Sequence, residues 1–459
     1  MQAKDPDEEV SRNVSINSIS LYRKRQTFCI RLHVGTSEEQ HDPSASAKEG
    51  TPLTHAAKAM TTGKKMGIGI LGTGKRGIYF GGEYFGRHPD CELVGLCDIV
   101  PQNLAFAKEK LGDIPATDSL ETFLQLPGLD AVVICSNDHA HAEHAVASLK
   151  AGKHVYLEKP MAQSIEDCDR MAQAGLEAKR VFLVGLELRY CSLMEDMKRI
   201  ISSGEIGDIK LGSVIDNVSV GGDYYYHGPR RRKDYVKSLI LEKGTHSLDL
   251  TNWLIDASPV KVYCSSGLDV FGGSAPSDKR CRACDEAASC AYYVDNRRGL
   301  EMDYGGVRLK DDLCVYAEEI DTHDNGLVLI DYDNGARVSY MECHFTPEYT
   351  REFTFIGTKG KIIGFYNNQQ DFKITVMKRH TKEVQTYHPE KRSGGHGGGD
   401  QAIVDTFVEL IQKGEPSMSG IWGARDSAAI AIAAAESAET GLPVHIARNE
   451  DLIKSGASR

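Results

Sequence analysis

From Met66 onward, short apolar runs take turns with amphipathic stretches. Met66-Gly67-Ile68-Gly69-Ile70-Leu71 predicts a buried strand that ends in a glycine turn and a helix. Apolar strands follow at 93–98, 131–135, 154–157 and 181–186, with helical stretches between them at about 101–111, 140–150 and 164–178. Strands alternating with helices predict a doubly wound parallel sheet, a Rossmann-type α/β domain over 64–187.

Past 187 the period changes. Runs at 209–219, 326–332, 336–343 and 351–357 alternate apolar with polar residues, and Asp333-Asn334-Gly335 supplies a hairpin turn. This predicts an α+β domain over 188–450: a large, mostly antiparallel open sheet, covered on one face by helices at about 400–412 and 424–440. Residues 1–63 are polar, without periodicity, and read as a poorly ordered extension. Two alternatives stay open there, a start of synthesis at Met60 or Met66 and a targeting role; the acids Asp5, Asp7, Glu8 and Glu9 argue against a transit peptide.

Composition narrows the function classes. The 54 Lys and Arg against 65 Asp and Glu give a net charge of −11, which argues against a nucleic-acid partner, since that would need a broad basic face. No apolar run approaches the roughly 20 residues that span a bilayer, and no secretory pattern opens the chain. The expectation is a cytoplasmic protein with neither a membrane nor a nucleic-acid partner. Most of the 12 cysteines lie in apolar runs, as small hydrophobes in a reducing compartment would.

The first turn reads Gly72-Thr73-Gly74-Lys75-Arg76-Gly77, a G-x-G-x-x-G between strand and helix. Its glycines allow a tight turn and close approach of a pyrophosphate to a helix N-terminus. Alone the pattern is weak; a tight turn without ligand would look the same. Asp98, ending the second strand, adds a carboxylate for the adenosine ribose hydroxyls and repels a 2′-phosphate, so NAD is favoured over NADP.

Further on stand Ser136-Asn137-Asp138-His139-Ala140-His141 and Glu158-Lys159-Pro160. With Gly185 to Tyr190, the His396-Gly397-Gly398-Gly399-Asp400 stretch and the segment 439–445, these make the chain resemble the glucose-fructose oxidoreductase/inositol dehydrogenase (Gfo/Idh/MocA) family from about Met66 to Ile446. The resemblance implies cofactor contacts from Ser136, Asn137, His141, Glu158 and Lys159, and hydride transfer without a catalytic metal. At a strand C-terminus, Lys159 can hold a substrate hydroxyl and stabilise a developing alkoxide, or shuttle the proton if its pKa is lowered. The family's Asp-x-x-x-His maps onto Glu242 and His246, a spacing that shares one face of a helix. His246 is the candidate base, against a purely structural histidine, and Glu242 would orient it or hold a hydroxyl. Here Glu replaces the family's Asp, and the lead-in 236–240 departs from the family pattern, which leaves substrate geometry open.

Asp223-Tyr224-Tyr225-Tyr226-His227-Gly228-Pro229-Arg230 sets rings beside a basic run, either a carbohydrate platform or a solvated loop with its tyrosines on the sheet. Tyr225 and Arg230, with Tyr190 and Asp249, are the substrate-binding candidates. Cys281-Arg282-Ala283-Cys284 with Cys290 has the look of a metal knuckle after the Gly/Ser/Pro-rich stretch 267–277; a structural zinc and free thiols both remain open, with Cys314 or a histidine as the fourth ligand. The expected function is NAD-dependent oxidation of a secondary hydroxyl on a sugar, cyclitol or glycoside by a homo-oligomer. The alternatives are a redox-assisted glycosidase and a non-catalytic NAD-binding sensor or scaffold.

Overall fold

The computed structural model describes residues 64–294, 311–414, 417 and 420–447, so the expected extension over 1–63 lies outside the described residues. Strands β1 (Met66–Leu71), β2 (Cys91–Cys97), β3 (Ala116–Thr117), β4 (Ala131–Ile134), β5 (His154–Leu157) and β6 (Phe182–Val184) form one parallel sheet in the order β3-β2-β1-β4-β5-β6. Helices cover both faces, so the strands carry near-continuous apolar runs; all of Ala131–Ile134 is buried. The order reverses at β1, between β2 and β4. Chain connections leave there in opposite directions, and a crevice opens at the strand C-termini.

The second sheet has nine strands. They are β7 (Ile209–Val218), β8 (Pro259–Gly267), β9 (Asn325–Tyr332), β10 (Arg337–Cys343), β11 (Tyr349–Gly357), β12 (Gly360–Asn367), β13 (Lys373–Lys378), β14 (Val384–Tyr387) and β15 (Val444–His445), ordered β14-β13-β12-β11-β7-β10-β9-β8-β15. Every pairing is antiparallel except β10 with β7. Side chains alternate: Val328, Ile330 and Tyr332 of β9 are buried, while Leu327 and Leu329 face outward. The helices Thr245–Ile255 and Ile421–Thr440 lie on the inner face. The alanines of Ile421–Thr440 let it pack closely against β8, Thr245–Ile255 and the first domain's Ile165–Ala178.

Several elements carry weak sequence signals. Strand β8 opens on a proline and ends in Ser265-Ser266-Gly267, which reads as loop, and β13 and β14 are half-exposed strands at the sheet edge. The helix Ser192–Ser202 is a further element that the sequence reading does not anticipate. The helix Thr245–Ile255 buries polar residues together with apolar ones, so it lacks a clean amphipathic stripe. Several of its polar groups are paired inside: Ser247 donates to Asp216 at 2.7 Å and Thr251 to the Ser247 carbonyl at 2.6 Å. No helix among the described residues is long and apolar enough to cross a membrane.

Candidate active site

The glycine turn sits at the crevice. Gly72 adopts φ +90°, and a Cβ there would lie 2.5 Å from the Ser136 nitrogen; at Gly77 a Cβ would lie 2.0 Å from the Gly72 carbonyl oxygen. Those two glycines are required by the fold. Gly74 is different: its φ of −67° suits any residue, and a Cβ there meets nothing within 4 Å. The protein itself has no use for the missing side chain, whereas a pyrophosphate against the turn does. Asp98 is held at the end of β2 by the Thr73 backbone N–H (2.8 Å) and hydroxyl (3.1 Å), the Asn103 amide (3.1 Å) and the Val100 N–H (2.9 Å). A dinucleotide's phosphates and ribose fit this pairing of an open glycine turn with a fixed carboxylate.

Several residues expected at the cofactor are engaged with the protein instead. The Arg76 guanidinium bonds Glu158 at 2.9 Å, Glu187, and Asp400 at 3.3 Å, and lies 4.0 Å over the Phe80 ring. Arg76 and Glu158 therefore face each other in a buried ion cluster that ties the glycine turn to the Gly399–Lys413 helix. His141 is buried, with Nδ1 2.8 Å from the Pro160 carbonyl and Nε2 3.1 Å from the Ser136 carbonyl, a brace between the turns after β4 and β5. Ser136 hydrogen-bonds His144 at 2.8 Å. Asn137 accepts from the Tyr235 hydroxyl at 2.8 Å.

Glu187, His396 and Asp400 bring ligand atoms within 4.8 Å of one another, a spacing a cation accepts, and Arg76 is the cation already there. Burial opposes ionisation of Asp400, yet His396 and Arg76 hold its carboxyl well below the usual range. Glu187, deeper and beside Glu158, is pushed up to about 7. Removing the central cation leaves three buried acids without it. Arg76→Ala is expected to cost about 3–5 kcal/mol, read as a lower thermal midpoint; an unchanged midpoint would show that the cluster does not hold the turn.

The catalytic candidates converge across the two sheets. Lys159, after β5 and joined to Pro160 by a cis peptide, donates from Nζ to the Glu242 carbonyl at 2.8 Å. Burial pulls the Lys159 ammonium down, but Glu242, Asp138 and Glu158 outweigh it and raise its pKa above the ordinary value. The lowered pKa that proton shuttling through Lys159 requires is therefore absent; the group is a standing cation. His246, four residues past Glu242, is held neutral by burial and by the cations of His396, Lys159 and Arg351. Its Nδ1 is buried without a hydrogen-bond partner, and its ring lies 5.2 Å from that of His396. His396 keeps its own charge because Asp400 accepts from its Nδ1 at 2.8 Å.

Glu242 does not orient His246. Its carboxylate accepts from Arg230 Nε at 2.8 Å and faces Lys159 and Asp138. Burial and the Glu242 charge push Asp138 up, while Lys159 and Arg230 hold Glu242 down against its own burial. The reason lies in the backbone: Ile240–Gly244 is a π-helical turn running into the α-helix Thr245–Ile255, so the four-residue spacing is not that of one α-helix.

Arg230 sits against Glu242, 5.6 Å over the Tyr224 ring. Tyr225 is buried against Tyr224 and His344. Asp249 accepts from Arg189 with both oxygens, at 2.6 and 2.7 Å, in a largely buried ion pair. Tyr190 packs beside Thr406 of the Gly399–Lys413 helix. The site also includes Asp138, His396, Lys243 and Tyr349, to which sequence reasoning gives no role. Asp138 and His396 lie inside motifs already singled out. Lys243 and Tyr349, whose Nζ and hydroxyl meet at 2.6 Å across 106 residues, leave no local trace in the sequence. Tyr349 is drawn down to about 7: burial opposes ionisation, but Lys243 and Arg351 outweigh it.

Comparison with known proteins agrees with this architecture. Residues 66–186 match the model of an oxidoreductase family with an NAD-binding Rossmann fold, and residues 198–446 match that family's C-terminal alpha/beta domain. A Bacillus subtilis protein described as the oxidoreductase YteT is 27% identical over 70% of this chain and 83% of its own length. The myo-inositol 2-dehydrogenase of Thermotoga maritima is 32% identical over 31% of this chain, an alignment that spans 42% of that enzyme. Among solved structures, scyllo-inositol dehydrogenase from Lactobacillus casei, with NAD(H) and scyllo-inositol bound, shares the fold with a TM-score of 0.62 at 20% identity, over 83% of this chain and 99% of that one.

Proposed function

The chain belongs to the Gfo/Idh/MocA oxidoreductase family, and from that premise we propose that it oxidises a secondary hydroxyl of a cyclitol or sugar with NAD. One observation carries the reading: Lys159, fixed on the Glu242 carbonyl, acts electrostatically on the buried His246, whose Nδ1 has no hydrogen-bond partner. Bound NAD would supply the hydride acceptor. The Lys159 ammonium has three N–H groups, one of them on the Glu242 carbonyl, so it can donate to the substrate oxygen and stabilise negative charge developing there. His246 takes up the hydroxyl proton. Burial and the neighbouring His396 disfavour a charge on His246, so the proton it takes would leave to bulk solvent within the turnover. Arg230, fixed by Glu242, presents donors to further hydroxyls.

The working division is a cofactor domain over 64–187 and a substrate and assembly domain over 188–450, acting in the cytoplasm. The outer face of the nine-stranded sheet exposes Leu211, Leu327, Leu329, Ile356, Met377 and Val384. Register sets Leu211 beside Ile356 and Met377 beside Val384, with Lys361 between the two pairs, and these apolar patches suit a second copy of the chain.

A panel of inositols, monosaccharides and glycosides tested for NAD reduction examines the proposal. NADH formation with an inositol or simple sugar is the expected result. Glycoside cleavage without net NADH would replace it with redox-assisted elimination. Binding of NADH without turnover on any member would leave a sensor or scaffold.

A further inference from the structure

Away from the crevice, four thiols share one cavity. Cys281, Cys284, Cys290 and Cys314 line it together with His227 and Tyr292, and all four cysteines are free. Two chain segments bring them there. Cys281 opens a single 3-10 turn, Cys281–Ala283, and the Cys284 N–H donates to the Cys281 carbonyl at 3.1 Å, closing a knuckle. The second segment is pinned beside it: the Cys281 N–H donates to the Asp312 carbonyl at 2.7 Å, and the Cys314 N–H to the Lys279 carbonyl at 2.8 Å. We infer that these four cysteines form a structural zinc site.

Three observations support a metal over idle thiols. Cys-x-x-Cys followed by two more thiols from nearby chain is a ligand set that tetrahedral zinc accepts, at about 2.3 Å per sulfur. The described parts of this insertion hold only a 3-10 turn and isolated bridges, over a small apolar cluster including Phe271, Val315 and Ile320. So little regular structure leaves the fold short of cross-links, and a metal supplies one. A tetrathiolate zinc carries two negative charges, and Lys279 and Arg280 line the same cavity. The sulfurs stand wider apart than zinc would hold them: among the described residues no cysteine group has its ligand atoms within 4.8 Å of one another. Closing the site takes side-chain rotation, chiefly at Cys284 and Cys290, which are only partly buried.

The site is not remote from the chemistry in its consequences. Buried Arg231 donates to the Cys314 carbonyl at 2.9 Å and pairs with Glu319, and the Leu313 N–H donates to the His227 carbonyl at 3.1 Å. The cysteine segments therefore hold the 227–231 turn, whose Arg230 grips Glu242. Zinc here would stabilise the wall of the active site without touching substrate.

The test is metal analysis of the full chain purified from zinc-supplemented culture. About one zinc per chain is expected, released by a mercurial thiol reagent and lost in Cys284→Ser and Cys290→Ser. Cobalt(II) in place of zinc should give an intense thiolate charge-transfer band in the wild type, a readout that survives if the variants fail to fold. The inference is overturned if the reconstituted wild type holds no zinc, if iron takes the site when both metals are supplied, if the cysteines pair as disulfides, or if the two serine variants retain full metal.

Discussion

Lys159→Ala is expected to lower kcat by on the order of 10²–10⁴-fold, the range for a donor that acts on a developing charge, with NADH affinity nearly unchanged. The reason is the environment of Lys159. Glu242 and Glu158 outweigh burial and keep it charged, and among the described residues it donates to the Glu242 carbonyl, which leaves donors for the substrate oxygen. Alanine removes the cation from the transition state while leaving the glycine turn and Asp98 untouched. Steady-state kinetics on a substrate turned over by the wild type, with NADH fluorescence titration beside it, separates the two effects. A kcat within a few-fold of wild type would remove Lys159 from the chemistry.

Gly74→Val should do the opposite, weakening NADH binding by on the order of a hundredfold, about 2.7 kcal/mol, while the thermal midpoint without cofactor holds. Valine at this φ is unstrained and its Cβ meets no protein atom within 4 Å, so the cost appears only when a pyrophosphate approaches. Gly77→Ala is the informative contrast, because its Cβ would be driven against the Gly72 carbonyl oxygen at 2.0 Å and the apoprotein itself should lose stability. If Gly74→Val binds NADH like the wild type, the turn does not cradle the cofactor.

The two glycines show where sequence reading succeeds and where it stops. A G-x-G-x-x-G between strand and helix can be recognised, but the motif does not say which glycine serves the fold and which serves a ligand; that division needs the neighbours of each missing Cβ. Arg76 and Glu158 make the same point. Both lie in motifs expected at a cofactor, yet they pair with each other, and Arg76 also bonds Glu187 and Asp400, which are far from it in the chain. Asp249 and His141 likewise read as ligand contacts because of the company they keep in sequence, and both turn inward to protein partners.

Local pattern by itself determined the alternation of strands and helices, the antiparallel second sheet and the two places, at Gly72 to Gly77 and Glu158 to Pro160, where chemistry would gather. Those features rest on side-chain periodicity and turn geometry within a dozen residues, which the chain states directly. Tertiary structure alone decided the charge states. Lys159 is held charged, His246 is pushed towards the neutral ring, and Asp138 is pushed up beside Glu242, because burial and partners distant in the chain act together on each group. Protonation follows from distance in space, and the sequence orders residues only along the chain.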